Sequence, residues 1–222
     1  MSSTVKSIRP KAVIQIPEPP IARFLFADTR MAWFWLIVRV YVGYQWFTAG
    51  FEKLTGYSAT IGNTFGTGST SNSWIFTSHL GAQLTGFAHS GIAQSVGAHP
   101  SVQGWYAWFL QNIIIPWAGF WSYVVTFGEL AVGIGLIIGM LTGIAAFFGV
   151  FMNMNFLLAG AVSINPIIGG LAIFLILAWR VAGYYGVDHW LLPLLGTPWT
   201  GSLAKEEQEK SKQTTPPVPT AG

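Results

Sequence analysis

The chain has no cysteine in 222 residues, and only 9% of its residues are charged. The first absence excludes disulfides, thiolate nucleophiles, Cys-ligated iron–sulfur clusters and covalent haem attachment through Cys. Any redox role must then run through a bound cofactor, a quinone or a partner subunit. The scarcity of charge sets the chain apart from soluble domains, in which roughly 25% of residues are charged. Nucleic acid is not an expected partner, because most of the basic residues lie in the two terminal tails and form no patch that could track phosphates. No internal repeat is evident, which removes the paired halves that a rocking transporter needs. Histidine is scarce too. His79, His89 and His99 stand ten residues apart, which scatters them around a helix. With no Cys and no nearby carboxylate, no metal site is expected, and no His lies in an apolar stretch where it could ligate haem.

What is abundant is apolar and aromatic: 52% hydrophobic residues, 11 Trp and 26 Gly, with a mean hydropathy of +0.50. That composition fits a membrane bundle with aromatic belts and close helix contacts. Four stretches, about 31–51, 116–140, 143–162 and 166–185, are each near the ~20 residues that cross a ~30 Å hydrocarbon core. Residues 1–28 form a polar tail too long and irregular for a signal-peptide start. The first apolar stretch contains Arg39, so it reads as an uncleaved anchor. Asn165 and Pro166 mark the start of the fourth stretch as cap and first helical position.

Positive charge orients these spans. Lys6, Arg9, Lys11, Arg23 and Arg30 precede the first, and Lys205, Lys210 and Lys212 follow the last. The long connection carries only Lys53, at its start. The positive-inside rule then puts both termini in the cytoplasm. The expected architecture is an all-α, integral membrane four-helix bundle of the cell membrane. It has a cytoplasmic tail at 1–28, a membrane domain at 29–190, and a cytoplasmic, largely disordered tail at 191–222. An extracytoplasmic segment at 54–111 separates helices one and two. Within it, Gly62 to Ser73 reads as loop, and Trp74 to about Val96 as an interfacial amphipathic helix or two short ones. Trp105, Trp108, Trp117 and Trp121 lead into the second span.

Arg39 and Glu129 stand inside apolar stretches, where an ionisable side chain costs at least about 2.5–3.5 kcal/mol on insertion scales. Such residues are normally turned inward and partnered. Helical spacing puts Arg39, Gly43, Trp46, Gly50 and Lys53 on one face of the first helix, and Thr126, Glu129 and Gly133 on one face of the second. Asn153 shares a stripe with Ala146 and Gly149 in the third. Arg180 and Tyr184 share one with Gly169 in the fourth, and Asp188 continues it just past the end. At ~1.5 Å per residue, Arg39 lies roughly 13 Å from the cytoplasmic edge, Glu129 and Asn153 roughly 16 Å, and Arg180 about 8–10 Å. The four are expected to meet in the cytoplasmic half of the bundle. Two Arg against one Glu leaves a positive charge for Asp188, or for a ligand of negative or carbonyl character. The same residues also read as structure. Arg39–Glu129 can be an ion pair locking two helices, and Asn153 a bridging hydrogen bond. Arg180 with Asp188 can be an anchor snorkelling to the surface. Lys53 beside Glu52 reads as a routine boundary charge.

The order of these residues resembles a known family. Arg39-x3-Gly43-x6-Gly50-x2-Lys53-Leu54 resembles the first-helix pattern of the DoxX/DoxD membrane proteins. Glu129 within GELAVGIGLIIGMLTGIAA resembles their second-helix pattern, and Gly186-Val187-Asp188 looks like their closing signature. The outer stretch PSVQGWYAWFLQNIIIP, Pro100 to Pro116, is similar to the DoxD branch, the membrane subunit type of thiosulfate:quinone oxidoreductase. Many relatives carry a basic residue where this chain has Gly143.

The resemblance covers roughly residues 30–190. It implies a four-helix membrane subunit of an oxidoreductase, with quinone as electron acceptor and partner subunits or further copies of the chain beside it. Glu129 and Arg39 would be its catalytic residues. Arg180, Asn153, Trp46 and Tyr184 would bind quinone or a small anion, and Lys53 and Asp188 would be structural. The competing expectation is a non-catalytic anchor or assembly subunit of a larger respiratory or photosynthetic membrane complex.

Overall fold

The computed structural model describes residues 19–62 and 64–197. The tail residues 1–18 and 198–222, and with them the expected C-terminal disorder, lie outside this range. Among the described residues every regular element is helical and no strand forms, Tyr57 and Gly68 making only an isolated bridge. The helices are α1 (Pro20–Ala27), α2 (Ala32–Thr55), α3 (Ala82–Ala93), α4 (Gly104–Phe109), α5 (Ala118–Ile138), α6 (Thr142–Leu158), α7 (Asn165–Leu177), α8 (Trp179–Ala182) and α9 (Asp188–Leu194).

The four expected spans coincide with α2, α5, α6 and the pair α7–α8. Their lengths differ from expectation. Among the described residues only the helical stretch Gly104–Ile138, 35 residues long, is by itself long and apolar enough to cross a membrane. Helix α2 has the length, at 24 residues, but carries Arg39, Glu52 and Lys53. Helix α6 has 17 residues and α7 has 13, about 26 and 20 Å at 1.5 Å per residue. The fourth stretch breaks at Ala178, whose ψ of 12° leaves the helical range, and resumes as the short α8. The long stretch is not one regular rod either. Pro116 lacks the N–H that would bond the carbonyl of Asn112, and its ring crowds that carbonyl. The preceding residues Leu110–Ile114 accordingly widen into a π-helical turn, and Ile115–Trp117 tighten into a 3₁₀ turn.

Two helix ends set the chain's course. Helix α2 stops at Gly56, whose φ of 81° is left-handed and whose N–H bonds Glu52. A side chain there would strike the backbone of Ser69. Helix α5 stops in the same way at Gly139, φ 69°. Just before α2, Asp28 caps the turn Thr29–Met31 and pairs with Arg30 at 2.6 Å. The Arg30 guanidinium holds the Asp28 carboxyl below the usual carboxylate range.

The bundle is built on α2 against antiparallel α5. Glycines bring the two backbones together: Gly133 faces Phe47, Gly50 faces Leu130, and Gly43 faces Ile137, each with no room for a methyl group. The main core runs from Ala32 and Trp35 through Val132 and Leu136 to Leu175 and Val181. A smaller one, around Ala88, Tyr106 and Leu110, lies where α3 and α4 pack on the end of α6. Tyr106 donates its hydroxyl hydrogen to Asn155 there. The expected outer amphipathic segment is thus one helix, α3, preceded by turns from Trp74 to Leu80.

Polarity is distributed inside-out. Arg39, Glu129, Asn153 and Asp188 are each 1% exposed, whereas Phe120, Phe127, Phe147 and Phe151 are 52–60% exposed.

Candidate functional site

The α2–α5 register decides which charges meet. Contacts between the two helices join residues whose numbers sum to about 180, as Phe47 with Gly133 and Gly50 with Leu130 show. Glu129 therefore lies opposite the last turn of α2. There the Lys53 Nζ donates to its Oε2 at 2.8 Å, with side-chain exposures of 18% for Lys53 and 1% for Glu129. The ammonium also lies 5.1 Å from the centre of the Trp74 ring and 5.6 Å from that of Phe156. Trp74 is held over the helix end by its own N–H, which bonds the Lys53 carbonyl at 2.7 Å. Ser73 adds a hydroxyl bond to Leu54 at 2.7 Å.

This ion pair forms the polar floor of a cavity of about 240 Å³, at the end of the bundle covered by the α2–α5 connection. Its other polar side chains are Gln45 and Asn165. The aromatic walls are Trp46, Trp74, Phe87 and Phe156. Trp46 stacks on Phe156 with ring centres 6.3 Å apart. Its indole N–H is buried without a partner. Asn165, the first residue of α7, reaches back to bond the Ala161 carbonyl at 2.6 Å. Asn153 stands behind it and donates to its Oδ1 at 3.3 Å.

Several expectations are corrected here. Arg39 and Glu129 do not pair. The Arg39 guanidinium packs between Gly139 and Gly186, where any side chain on either glycine would collide with it. Its Nη2 donates to the Tyr185 carbonyl at 3.1 Å, and Asp188 is the carboxylate whose field reaches it. Gly139 is ten residues, about 15 Å, along α5 from Glu129. The expected single layer is thus two layers, one toward each end of the bundle. The expected common depth does not hold, because the ends of α2 and α5 are not level. In fact α2 begins well before the level at which α5 stops, and the region around Gly186 fills the step.

Arg180 and Tyr184 do not reach the Glu129 cavity either. Arg180 is exposed, with its guanidinium 5.6 Å from the Trp179 ring centre. Tyr184 packs on His189 and lines a separate cleft with Tyr185 and Trp190. Asp188 fastens one part of the chain to another. Its carboxylate accepts from the N–H groups of Leu141 at 2.6 Å and Thr142 at 2.8 Å, capping α6 from a distant part of the chain. Leu141 is thereby held at a φ of 49°, which a branched side chain rarely adopts. Lys53, expected as a boundary charge beside Glu52, instead faces inward to Glu129. Trp46 lines the cavity, and Asn153 meets it only through its hydrogen bond to Asn165. Gln45, Trp74, Phe87, Phe156 and Asn165 also line the cavity, though none is among the expected site residues. For Phe156 a signal was present, since it follows Asn153 by three and shares its face.

His79, His89 and His99 are surface residues. Among the described residues no group of three or more His, Asp or Glu is placed to hold a metal ion. No family model, no curated protein and no solved structure matches the chain.

Proposed function

We propose that the protein is a DoxX/DoxD-like four-helix integral membrane subunit of a quinone-linked oxidoreductase. In this reading the quinone head group is held in the Lys53–Glu129 cavity. The observation that carries it is a buried ion pair at the floor of an aromatic cavity, inside a bundle whose outward faces are apolar. Those faces favour lipid as the surrounding solvent. The motif residues also support the family reading, because they touch one another. Gly43 and Gly50 seat α2 on α5, Lys53 pairs with Glu129, Arg39 packs on Gly186, and Asp188 caps α6. Gly143, the departure from the family pattern, lies against the Trp179 side chain with no room for a basic residue.

The charge state of the cavity favours a neutral ligand. Lys53 is already neutralised by Glu129, and Arg39 and Arg180 lie elsewhere. A sulfur dianion such as thiosulfate therefore finds no unmatched cation here, and its oxidation would belong to a partner subunit. Within the cavity Lys53 would donate to a quinone carbonyl by a charge-assisted hydrogen bond, and Glu129, 2.8 Å from that ammonium, would hold it charged and in place. With both termini cytoplasmic, the cavity opens on the extracytoplasmic half of the membrane.

The second reading, a non-catalytic anchor, draws on Trp105, Trp108 and Trp117, which are 61–67% exposed ahead of α5. A belt of that kind suits the headgroup region or a docked subunit. Two measurements decide. The chain has no native cysteine, so single cysteines at Ser71 and at Arg23 can be labelled in intact cells by an impermeant reagent. Labelling of Ser71→Cys but not Arg23→Cys is expected, and the reverse pattern refutes the topology. Extraction of quinone with the purified wild type but not with Lys53→Met supports the binding role, and equal quinone in both refutes it.

A further inference from the structure

We infer, resting on the reading above, that the cavity selects a neutral ring with two hydrogen-bond acceptors, one received by Lys53 and the other by the side-chain amide of Asn165. Asn153 is then a positioning residue that fixes which face Asn165 presents. The Ala161 backbone carbonyl can only accept a hydrogen bond. Ala161 O lies 2.6 Å from one end of the Asn165 amide, so that end is the nitrogen. Reversing the group would set two oxygens at that distance. The other end is then the oxygen, and it needs a donor, so the Asn153 end facing it at 3.3 Å is the nitrogen. One carbonyl thus orients both amides.

The consequences differ for the two residues. Asn153 is 1% exposed, and its own oxygen is left without a partner against Gly169. A methyl group at Gly169 would collide with that oxygen. A buried orphan acceptor is costly, and the arrangement that creates it is the one that gives the Asn165 oxygen its donor. Asn165 and Ala161 both line the cavity, whereas Asn153 does not. The Asn165 oxygen therefore points away, toward Asn153, and its NH₂ lies on the cavity side. That nitrogen has two hydrogens and one is taken by Ala161, which leaves a second for a ligand. Lys53 has three N–H groups, of which one goes to Glu129. The cavity so offers two donors among aromatic walls, with its only carboxylate already engaged by Lys53. A flat ring with two carbonyl oxygens matches this, and an anion does not.

The full chain in detergent is titrated with a short-tailed 1,4-benzoquinone and with a ring of the same size and tail bearing one carbonyl. Wild type should prefer the dicarbonyl ring by about 5–10-fold, the worth of one hydrogen bond. Asn165→Leu should reduce that preference to within about 2-fold while still binding the monocarbonyl ring. Asn165→Asp, which replaces the donor with an acceptor at nearly constant size, should do the same and covers the case in which the leucine variant fails to fold. Asn153→Leu should lower the preference about 2–4-fold, a change in selectivity that simple loss of stability would not produce. Lys53→Met should weaken both rings. Full wild-type preference in either Asn165 variant, or equal binding of the two rings by wild type, overturns the inference and leaves the Lys53–Glu129 reading standing. An unchanged preference in Asn153→Leu overturns its positioning role. Failure of wild type to bind either ring overturns both.

Discussion

Breaking the Lys53–Glu129 pair from its two ends should cost different amounts, and the difference follows from burial. At 2.8 Å and an effective dielectric near 20, the Coulomb attraction is roughly 6 kcal/mol before desolvation takes back most of it. Lys53→Met leaves a carboxylate that is 1% exposed with its cation gone, the situation that costs about 3–5 kcal/mol. Glu129→Gln leaves an ammonium whose side chain keeps 18% of its exposure and still faces the rings of Trp74 and Phe156. A cost of about 1–2 kcal/mol is expected there, because the amide can still accept and the rings still attract the cation. The assay is reversible unfolding of the purified protein in mixed micelles, read by helicity against denaturing detergent. A double-mutant cycle should give a coupling of about 1.5–3 kcal/mol between Lys53 and Glu129. The same cycle with Arg39→Gln and Glu129→Gln should give less than about 0.5 kcal/mol, since the two residues share no partner. Coupling of Arg39 to Glu129 as large as that of Lys53 would refute the two-layer arrangement and restore the single cluster.

Other substitutions probe the opposite layer and its neighbours. Gly139→Ala combines a left-handed φ of 69° with a collision against the Arg39 guanidinium. It should destabilise by about 2–4 kcal/mol, whereas Gly86→Ala, with open space around it in α3, should be neutral or stabilise by up to about 1 kcal/mol. Thermal unfolding of the two variants side by side checks this. Asp188→Ala removes both bonds to the start of α6 and should cost about 2–4 kcal/mol, with Asp188→Asn recovering only part, on the same measurement. Arg180→Gln, on an exposed guanidinium, should change benzoquinone affinity by less than about 2-fold, and a 10-fold loss would return Arg180 to the site.

The positions of the helices were legible because apolar runs of near-constant length leave few alternatives, and α2, α5, α6 and α7 fall where those runs lie. The inward turn of Arg39, Glu129, Asn153 and Asp188 was legible for the same reason, since an ionisable or amide group in such a run has nowhere else to go. What could not be read was the axial offset between α2 and α5. Composition marks where a helix is, but the contact pattern of Gly43, Gly50 and Gly133 fixes how far it slides. A slide of several residues exchanged Arg39 for Lys53 as the partner of Glu129. The aromatic cover was illegible for another reason. Trp74 and Phe87 come from a long connection whose path depends on small local bonds, such as that of the Ser73 hydroxyl to Leu54. Pro116 gave notice of a disturbed helix, though not that the disturbance would take the form of a widened turn.

The cap supplied by Asp188 also has a bearing on biosynthesis. The N–H group it satisfies on Thr142 lies 46 residues earlier in the chain, so the first turn of α6 emerges from the ribosome long before its acceptor. Until the Gly186-Val187-Asp188 corner has been made, that turn and the strained Leu141 are left open, and Arg39 has only one of the two backbones it packs between. The first turn of α6 is therefore capped only once the Asp188 corner exists. A chain cut short just before Asp188 would contain every long helix and still lack the fastening that holds the start of α6.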